Sequence, residues 1–377
     1  MKHIVDILRA ERHLDGDGYR ALLECDDERA VAHLHEQAQE VAVSQFGHGI
    51  FVRGLVELTN VCRNDCLYCG IRKSNRNVER YMLTTEQVLQ CCQQGYELGF
   101  RTFVLQGGEL PRDKAPWIVE LVAEIRHHYP DCAITLSLGE WPREVYQQMR
   151  EAGADRYLLR HETHNAEHYV RLHPAEMSLD NRLQCLQWLK ELGFQVGTGI
   201  MVGSPGQSLD NIVEDIEFIE QFKPEMIGLG PFVPQHDTPL GKHPAGSADL
   251  TTRLYSMFRL MFPNALIPST TALNSIDPHG RIKGIMAGAN VVMPNLSPTA
   301  MRDNYALYDG KASSNAEAAE GIAQLEAQLA TTGYHIDWGR GDFNQCTMLD
   351  QCTMHNAQFI IFNTKLTTDN SKLITNN

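Results

Sequence analysis

From about residue 50 onward, short apolar runs alternate with longer amphipathic stretches. The runs at 54–59, 102–106, 133–138, 156–160, 195–202, 226–230, 265–269 and 290–293 read as strands. The stretches near 84–99, 115–128, 142–153, 178–192, 208–221, 248–262 and 277–286 read as helices. Several start with a capping residue or a first-turn proline (Thr84, Pro116, Pro142, Ser178, Ser208), and several end near glycine (Gly99, Gly153, Gly193). Strand and helix alternating eight times predict parallel βαβ units, and eight such units close a barrel. An open doubly wound sheet is the other arrangement this periodicity allows. The expected fold is therefore α/β, a TIM-type (β/α)8 barrel over 51–343. The helical periodicity of 1–50 predicts an N-terminal helical extension. The polar, irregular composition of 344–377 predicts a mobile tail.

Such a barrel gathers its chemistry at the C-terminal ends of its strands. The unusual residues fall there. The loop NVCRNDCLYCGIR (60–72) follows the first strand, Gly107-Gly108-Glu109 the second, His161-Glu162 the fourth and Thr270-Thr271 the seventh. Cys62, Cys66 and Cys69 are spaced C-x3-C-x2-C. Thiolates are the ligands of iron–sulfur clusters, and three of them can hold three corners of one cube. One iron is then left open, as the metal of a catalytic zinc site keeps an open position. A zinc site would bring a second ligand pair, and a thioredoxin-like pair leaves Cys62 unexplained. Three packing cysteines do not suit a loop that also holds Arg63, Asn64 and Asp65.

Other patterns are weaker. His161-Glu162-Thr163-His164 is spaced H-E-x-H and follows a strand, whereas a zinc-protease motif needs H-E-x-x-H on a helix. Gly197, Gly199 and Gly203 lie within a strand run and do not make a dinucleotide loop. Cys91, Cys92, Cys132 and Cys185 read as small buried hydrophobes.

Charge and composition narrow the class. The 377 residues carry a formal net charge of −14, which disfavours non-specific binding to nucleic acid or an anionic membrane. No apolar run reaches the ~18 residues of a membrane span. The N-terminus is charged and has no hydrophobic core of a secretory signal. The expectation is a cytoplasmic protein with reduced or metal-bound thiols.

With Tyr68 before the last cysteine, the C-x3-C-x2-C loop resembles that of the radical S-adenosylmethionine (SAM) enzymes. The resemblance implies one 4Fe–4S cluster on Cys62, Cys66 and Cys69, with SAM chelated to the open iron. A one-electron reductant then drives cleavage of SAM to a 5′-deoxyadenosyl radical. RTFVLQGGE (101–109) resembles the family's Gly-rich SAM segment. YLLRHETH (157–164) resembles the hydrogenase maturases of the HydE type, in which the arginine faces the substrate cavity and the glutamate contacts SAM. Asp180-Asn181-Arg182, TLSLGEW (135–141), MVGSPGQ (201–207), GPFVPQHDTPL (230–240), IPSTTAL (267–273), ANVVMPNLSP (289–298) and NYALYDGK (304–311) extend the match over roughly 50–312.

On this resemblance SAM is met by Tyr68, Gln106, Gly107, Gly108, Glu109, Ser137, Glu162 and Arg182. The substrate cavity is lined by Arg53, Arg160, Met226, Thr270, Thr271 and Tyr305. The implied activity is maturation of the [FeFe]-hydrogenase active site. Its substrate is a small cysteine-bound iron complex carrying carbon monoxide and cyanide, and other hydrogenase maturases are its partners. Methylornithine synthase and biotin synthase resemble the same barrel and imply an alternative, an amino-acid substrate. A non-catalytic iron–sulfur carrier is the alternative of another class. Some HydE sequences carry a second cluster, C-x7-C-x2-C, after the Gly-Lys pair. Here Gly310-Lys311 leads into Ala312-Ser313-Ser314, so that cluster is expected to be absent. Cys346, Cys352 and His355 are soft or borderline metal ligands in the tail, without a family counterpart.

Overall fold

The apolar run at 54–59 forms β2 (Gly54–Thr59), which continues β1 (Gly49–Val52) across Arg53. The structure is a computed structural model that describes residues 1–311 and 318–343. Parallel pairing carries β2 to β3 (Thr102–Gly107), β4 (Ala133–Ser137), β5 (Arg156–Leu158), β6 (Gln195–Thr198) and, past β7 (Met201–Val202), to β8 (Met226–Ile227). The register is continuous across the inner face, with Glu57 opposite Gln106 and Gln106 opposite Ser137.

The seventh stave is not a regular strand. Residues 265–269 make only parallel bridges, Met226 to Leu266 and Pro268 to Val291. Pro268 has no N–H to donate, which cuts the ladder short. The eighth stave contains β10 (Val291–Val292) after β9 (Gly230–Pro231) and returns to β2. Leu55 N–H donates to Pro294 O (2.8 Å), and Leu296 N–H donates to Leu55 O (2.7 Å). Eight parallel staves thus close on themselves.

Two expected strands are divided. The run 195–202 breaks between β6 and β7, and 226–230 breaks between β8 and β9, which pair with each other as a separate ribbon. Gly199 makes the break possible, because a Cβ there would lie 1.9 Å from Gly228 O. The sequence pattern missed the helices Ala166–Leu172, Thr271–Ile276, Thr299–Arg302 and Ala318–Ala330. It also missed β11 (His335–Asp337), which pairs with β1 at the N-terminal end of the barrel.

Helices Lys2–Glu11, Gly16–Leu23 and Glu28–Phe46 bury Val5, Leu8, Tyr19, Leu22, Leu34 and Ala38 in one core with helices Leu209–Phe222 and Ala248–Met261. Residues Met1–Gly341 form one compact unit. Residues 312–317 and 344–377, with the accessory-cluster position and Cys346, Cys352 and His355, lie outside the described residues. Among the described residues no helix is long and apolar enough to cross a membrane.

Candidate active site at the barrel mouth

The cysteine loop leaves β2 and is tied down at nearly every step. Arg63 N–H donates to Glu109 O (2.8 Å), Leu67 N–H to Leu172 O (2.9 Å) and Gly70 N–H to Leu307 O (2.8 Å). Asp65 accepts from Arg72 Nε (2.7 Å) and from the amide and hydroxyl of Ser74 (3.0 and 2.7 Å), which hold its carboxyl down to about 2. Arg80 acts as a clamp. One guanidinium nitrogen donates to Asn60 O (2.5 Å) and Ile71 O (2.8 Å), the other to Arg72 O (2.6 Å) and Asn75 O (2.9 Å). Gly70 must lack a side chain, since a Cβ there would sit 2.0 Å from Ala306 O.

This frame turns three thiols inward together. The backbone N–H groups of Asn64 and Glu109 hydrogen-bond to Cys62 sulfur, and that of Ile71 to Cys69 sulfur. Burial raises all three thiols, and their mutual repulsion as thiolates adds to the rise at Cys66 and Cys69. Cys69 is pushed up to about 12. Ionised at neutral pH, they need a positive centre between them, as a cluster's irons provide. Among the described residues no three His, Cys, Asp or Glu side chains converge on the point a single ion would occupy. A cluster that offers each thiolate its own iron asks for no such convergence.

A buried charge network faces the thiols. Glu162 takes a left-handed backbone, φ 66°, and is held there by its N–H on Gly199 O (3.0 Å) and by Met201 N–H on its own carbonyl (3.1 Å). A non-glycine residue in that region is uncommon and gathers at functional sites. Its carboxylate receives Arg160 Nε (3.1 Å to each oxygen) and Nη2 (2.5 Å). Burial raises that carboxyl, but Arg160 outweighs burial and leaves it below its ordinary value. Arg182 spans the next gap, with Nε on Glu140 Oε1 (2.6 Å) and Nη1 on Arg160 O (2.5 Å). Asn181 Nδ2 takes the other Glu140 oxygen (2.6 Å). Tyr68 hydroxyl donates to His173 Nε2 (3.4 Å), whose Nδ1–H donates to Tyr169 O (3.0 Å). Burial raises the Tyr68 phenol, and the charges of Glu162, Cys66 and Cys69 raise it further, so all of these groups share one neighbourhood.

The inner wall continues with Gln106, whose amide donates to Tyr305 hydroxyl (3.3 Å), and with Ser137 beside it in register. Lys311 Nζ lies 4.7 Å over the Tyr305 ring, donates to Tyr305 O (3.0 Å) and pairs with the buried Glu57 carboxylate. Gly107 and Gly108 pass close under the cysteine loop, where a Cβ on Gly108 would lie 2.3 Å from Val61 O. Glu109 pairs its carboxylate with Arg63 and offers Cys62 its backbone N–H, while its charge adds to the rise of the Cys62 and Cys66 thiols. Thr270 caps the helix Thr271–Ile276 and shares hydrogen bonds with Tyr255 hydroxyl (3.2 and 3.3 Å).

Two expected cavity residues sit elsewhere. Arg53 precedes β2 and Met226 opens β8, so both lie at the N-terminal end of parallel staves, away from the cysteine loop. They touch each other, Arg53 Nη1 to Met226 Sδ at 3.2 Å. Conversely, Arg80, Glu57, Lys311, Glu140, His173 and Tyr308 join the site without having been foreseen. Tyr308 is raised to about 12 by burial and feels the Arg160 charge. Glu140, Tyr308 and Lys311 lie inside the motifs quoted above. The other three carried no local signal.

Residues 56–219 match the family model described as Radical SAM superfamily. The [FeFe] hydrogenase maturase subunit HydE of Thermotoga maritima is 44% identical over 278 residues, 74% of this chain and 79% of the relative. The 3-methylornithine synthase of Methanosarcina acetivorans is 28% identical over 78% of this chain and 83% of its own length. Among solved structures, methylornithine synthase (PylB) superposes with a TM-score of 0.79 at 26% identity, covering 89% of this chain and 97% of that one. With its three half-buried thiols at the mouth of a parallel barrel, the chain belongs to the radical SAM superfamily, in the family of the HydE maturase.

Proposed function

We propose that this protein is a HydE-type maturase that uses a radical generated from SAM to process a small iron complex during assembly of the [FeFe]-hydrogenase active site. The observation that supports this most is the meeting of three inward thiols with the Glu162–Arg160–Arg182 network in one buried space. Identity of 44% to a HydE, against 28% to a methylornithine synthase, favours the iron complex over an amino acid.

Cys62, Cys66 and Cys69 would hold the cluster, which when bound supplies one electron to the SAM sulfonium and so yields the 5′-deoxyadenosyl radical. Around it, Glu162, with Tyr68, Ser137 and the 106–109 backbone, orients SAM, and Arg182 is the second charged contact. Arg160 presents a guanidinium suited to an anionic complex, while Tyr305, Thr270 and Thr271 add hydroxyls. The cluster and SAM would supply a radical directed at the sulfur of the substrate's cysteine, and Arg160 with the hydroxyls of Tyr305, Thr270 and Thr271 would hold the complex so that this sulfur faces it.

The test is anaerobic reconstitution with iron and sulfide, reduction, and EPR with and without SAM, followed by assay for 5′-deoxyadenosine. A 4Fe–4S signal that shifts on SAM addition, with deoxyadenosine formed and both lost in Cys66→Ala, supports the reading. A non-catalytic carrier would keep its iron delivery in Glu162→Gln and Arg182→Met, and that outcome would sink the enzyme reading. An amino-acid substrate is the second reading, supported by the likeness to methylornithine synthase. It predicts deoxyadenosine release stimulated by free amino acids and not by iron complexes.

A further inference from the structure

We infer that the basic rim over Cys62 is the docking surface for an acidic one-electron carrier protein. The inference rests on the reading above, because a cluster that must be reduced needs a surface where the electron enters.

The charge distribution points to this place. The chain as a whole carries −14, yet residues 60–80 hold five basic and two acidic residues. One of the two acids, Asp65, is already paired with Arg72. Beside this loop lie Arg112 and Lys114, with Asp113 between them. Lys73, Arg112 and Lys114 are exposed, and none has a salt-bridge partner among the described residues. Two guanidinium groups converge on one atom, since Arg63 and Arg112 both donate to Glu140 O. The Arg112 guanidinium lies over Trp141, 5.1 Å from the ring centroid, which helps hold it in place at the surface.

The same rim lies on a short path to the thiols. Lys73 N–H donates to Asn64 O (2.8 Å), within the loop between Cys62 and Cys66. Cys62 sulfur accepts from the N–H of Glu109, three residues before Arg112. The other two thiols lie deeper in the network, Cys66 beside Met177 (3.7 Å) and Arg182, Cys69 near Glu162. Cys62 is therefore the thiol tied most directly to this rim, through Glu109 N–H and through neighbouring Asn64, whose carbonyl accepts from Lys73 N–H. A positive patch on a negative protein selects and steers a negative partner, and raises its association rate most at low salt.

The probe is a low-potential acidic plant-type 2Fe–2S ferredoxin, reduced beforehand, with dithionite as the small-molecule control on the reconstituted full chain. SAM cleavage driven by ferredoxin is expected to slow steeply with added salt in the unaltered protein, while cleavage driven by dithionite barely changes. In Lys73→Glu/Arg112→Glu/Lys114→Glu the ferredoxin-driven rate is expected to fall at least about tenfold at low carrier concentration, with dithionite-driven cleavage preserved. Lys114→Glu alone, at an exposed side chain with no ion pair among the described residues, is expected to give a smaller loss of the same kind. A ferredoxin rate insensitive to both salt and charge reversal overturns the inference, as does an equal loss with dithionite in Lys114→Glu. Absence of SAM cleavage with dithionite in the unaltered protein is a different failure, because it removes the proposed function itself.

Discussion

Arg80 is the sharpest test of how the cysteine loop is held. Its guanidinium donates to the carbonyls of Asn60, Ile71, Arg72 and Asn75, which bracket all three cysteines. In Arg80→Met the apolar stem is kept and four charge-assisted hydrogen bonds disappear. Each buried carbonyl left unpaired costs roughly 1–3 kcal/mol, so the four together reach about 4–12 kcal/mol before relaxation. Water reaching a loop that is only half-buried offsets much of this, and about 3–5 kcal/mol is the expected remainder. That cost falls chiefly on the ordered loop, whose contacts with the core run through Val61 and Tyr68 and are left in place. The protein should thus keep its circular dichroism and lose most of its reconstituted iron. Arg80→Lys should recover only part of it, since an ammonium cannot span four carbonyls in a plane. Iron and acid-labile sulfide analysis, with EPR, reads the outcome. An Arg80→Met protein with unaltered iron content and an unaltered SAM-dependent EPR shift would refute the clamp.

Three further outcomes follow from the geometry. Glu140→Gln strands the buried Arg182 charge and should cost about 3–5 kcal/mol in urea unfolding, with part of the loss recovered in the Glu140→Gln/Arg182→Met double variant. No change in the unfolding midpoint would contradict the pairing. Gly70→Ala drives a methyl into Ala306 O and should cost about 1–3 kcal/mol of local strain, read as weaker cluster retention. Burial holds His161 at about 3 and His173 at about 4, below the ordinary 6.5. Between pH 6.5 and those values the unfolded chain binds protons the folded chain refuses. Stability is therefore greatest above pH 6.5 and falls as pH drops through this window, by up to about 1.4 kcal/mol per pH unit for each histidine. His173→Gln should flatten a melting-temperature curve between about pH 4 and 6.5, leaving the His161 contribution that extends down to about 3.

The substrate reading has a specific weak point that the structure exposes. Arg160 is the cation assigned to the anionic complex, yet in the protein alone it forks onto Glu162. Substrate and SAM must then share or divide these two groups. Binding of one should alter affinity for the other, which calorimetry with and without SAM can measure.

What the sequence determined by itself is local and periodic. The alternation of strand and helix follows from which side chains can be buried on a pleat or a helical stripe, and it reproduced β2 residue for residue and most of the barrel helices. The C-x3-C-x2-C spacing is a property of one short loop, so its chemistry was legible without any partner. The tertiary structure decided what depends on distant segments meeting. Lys311 reaches Glu57 only because the chain after the eighth stave folds back over the first. The Arg80 clamp, with partners from Asn60 to Asn75, looks ordinary in sequence and acquires meaning only when the loop curls around it. The break at Gly199 places Glu162 in its left-handed backbone through a contact with a neighbouring stave. Arg53 and Met226 show the converse, since the resemblance suggested the cavity and strand direction put them at the other end. Parallel staves send everything before a strand to the floor and everything after it to the mouth, and only closure of the ring decides which of those residues touch.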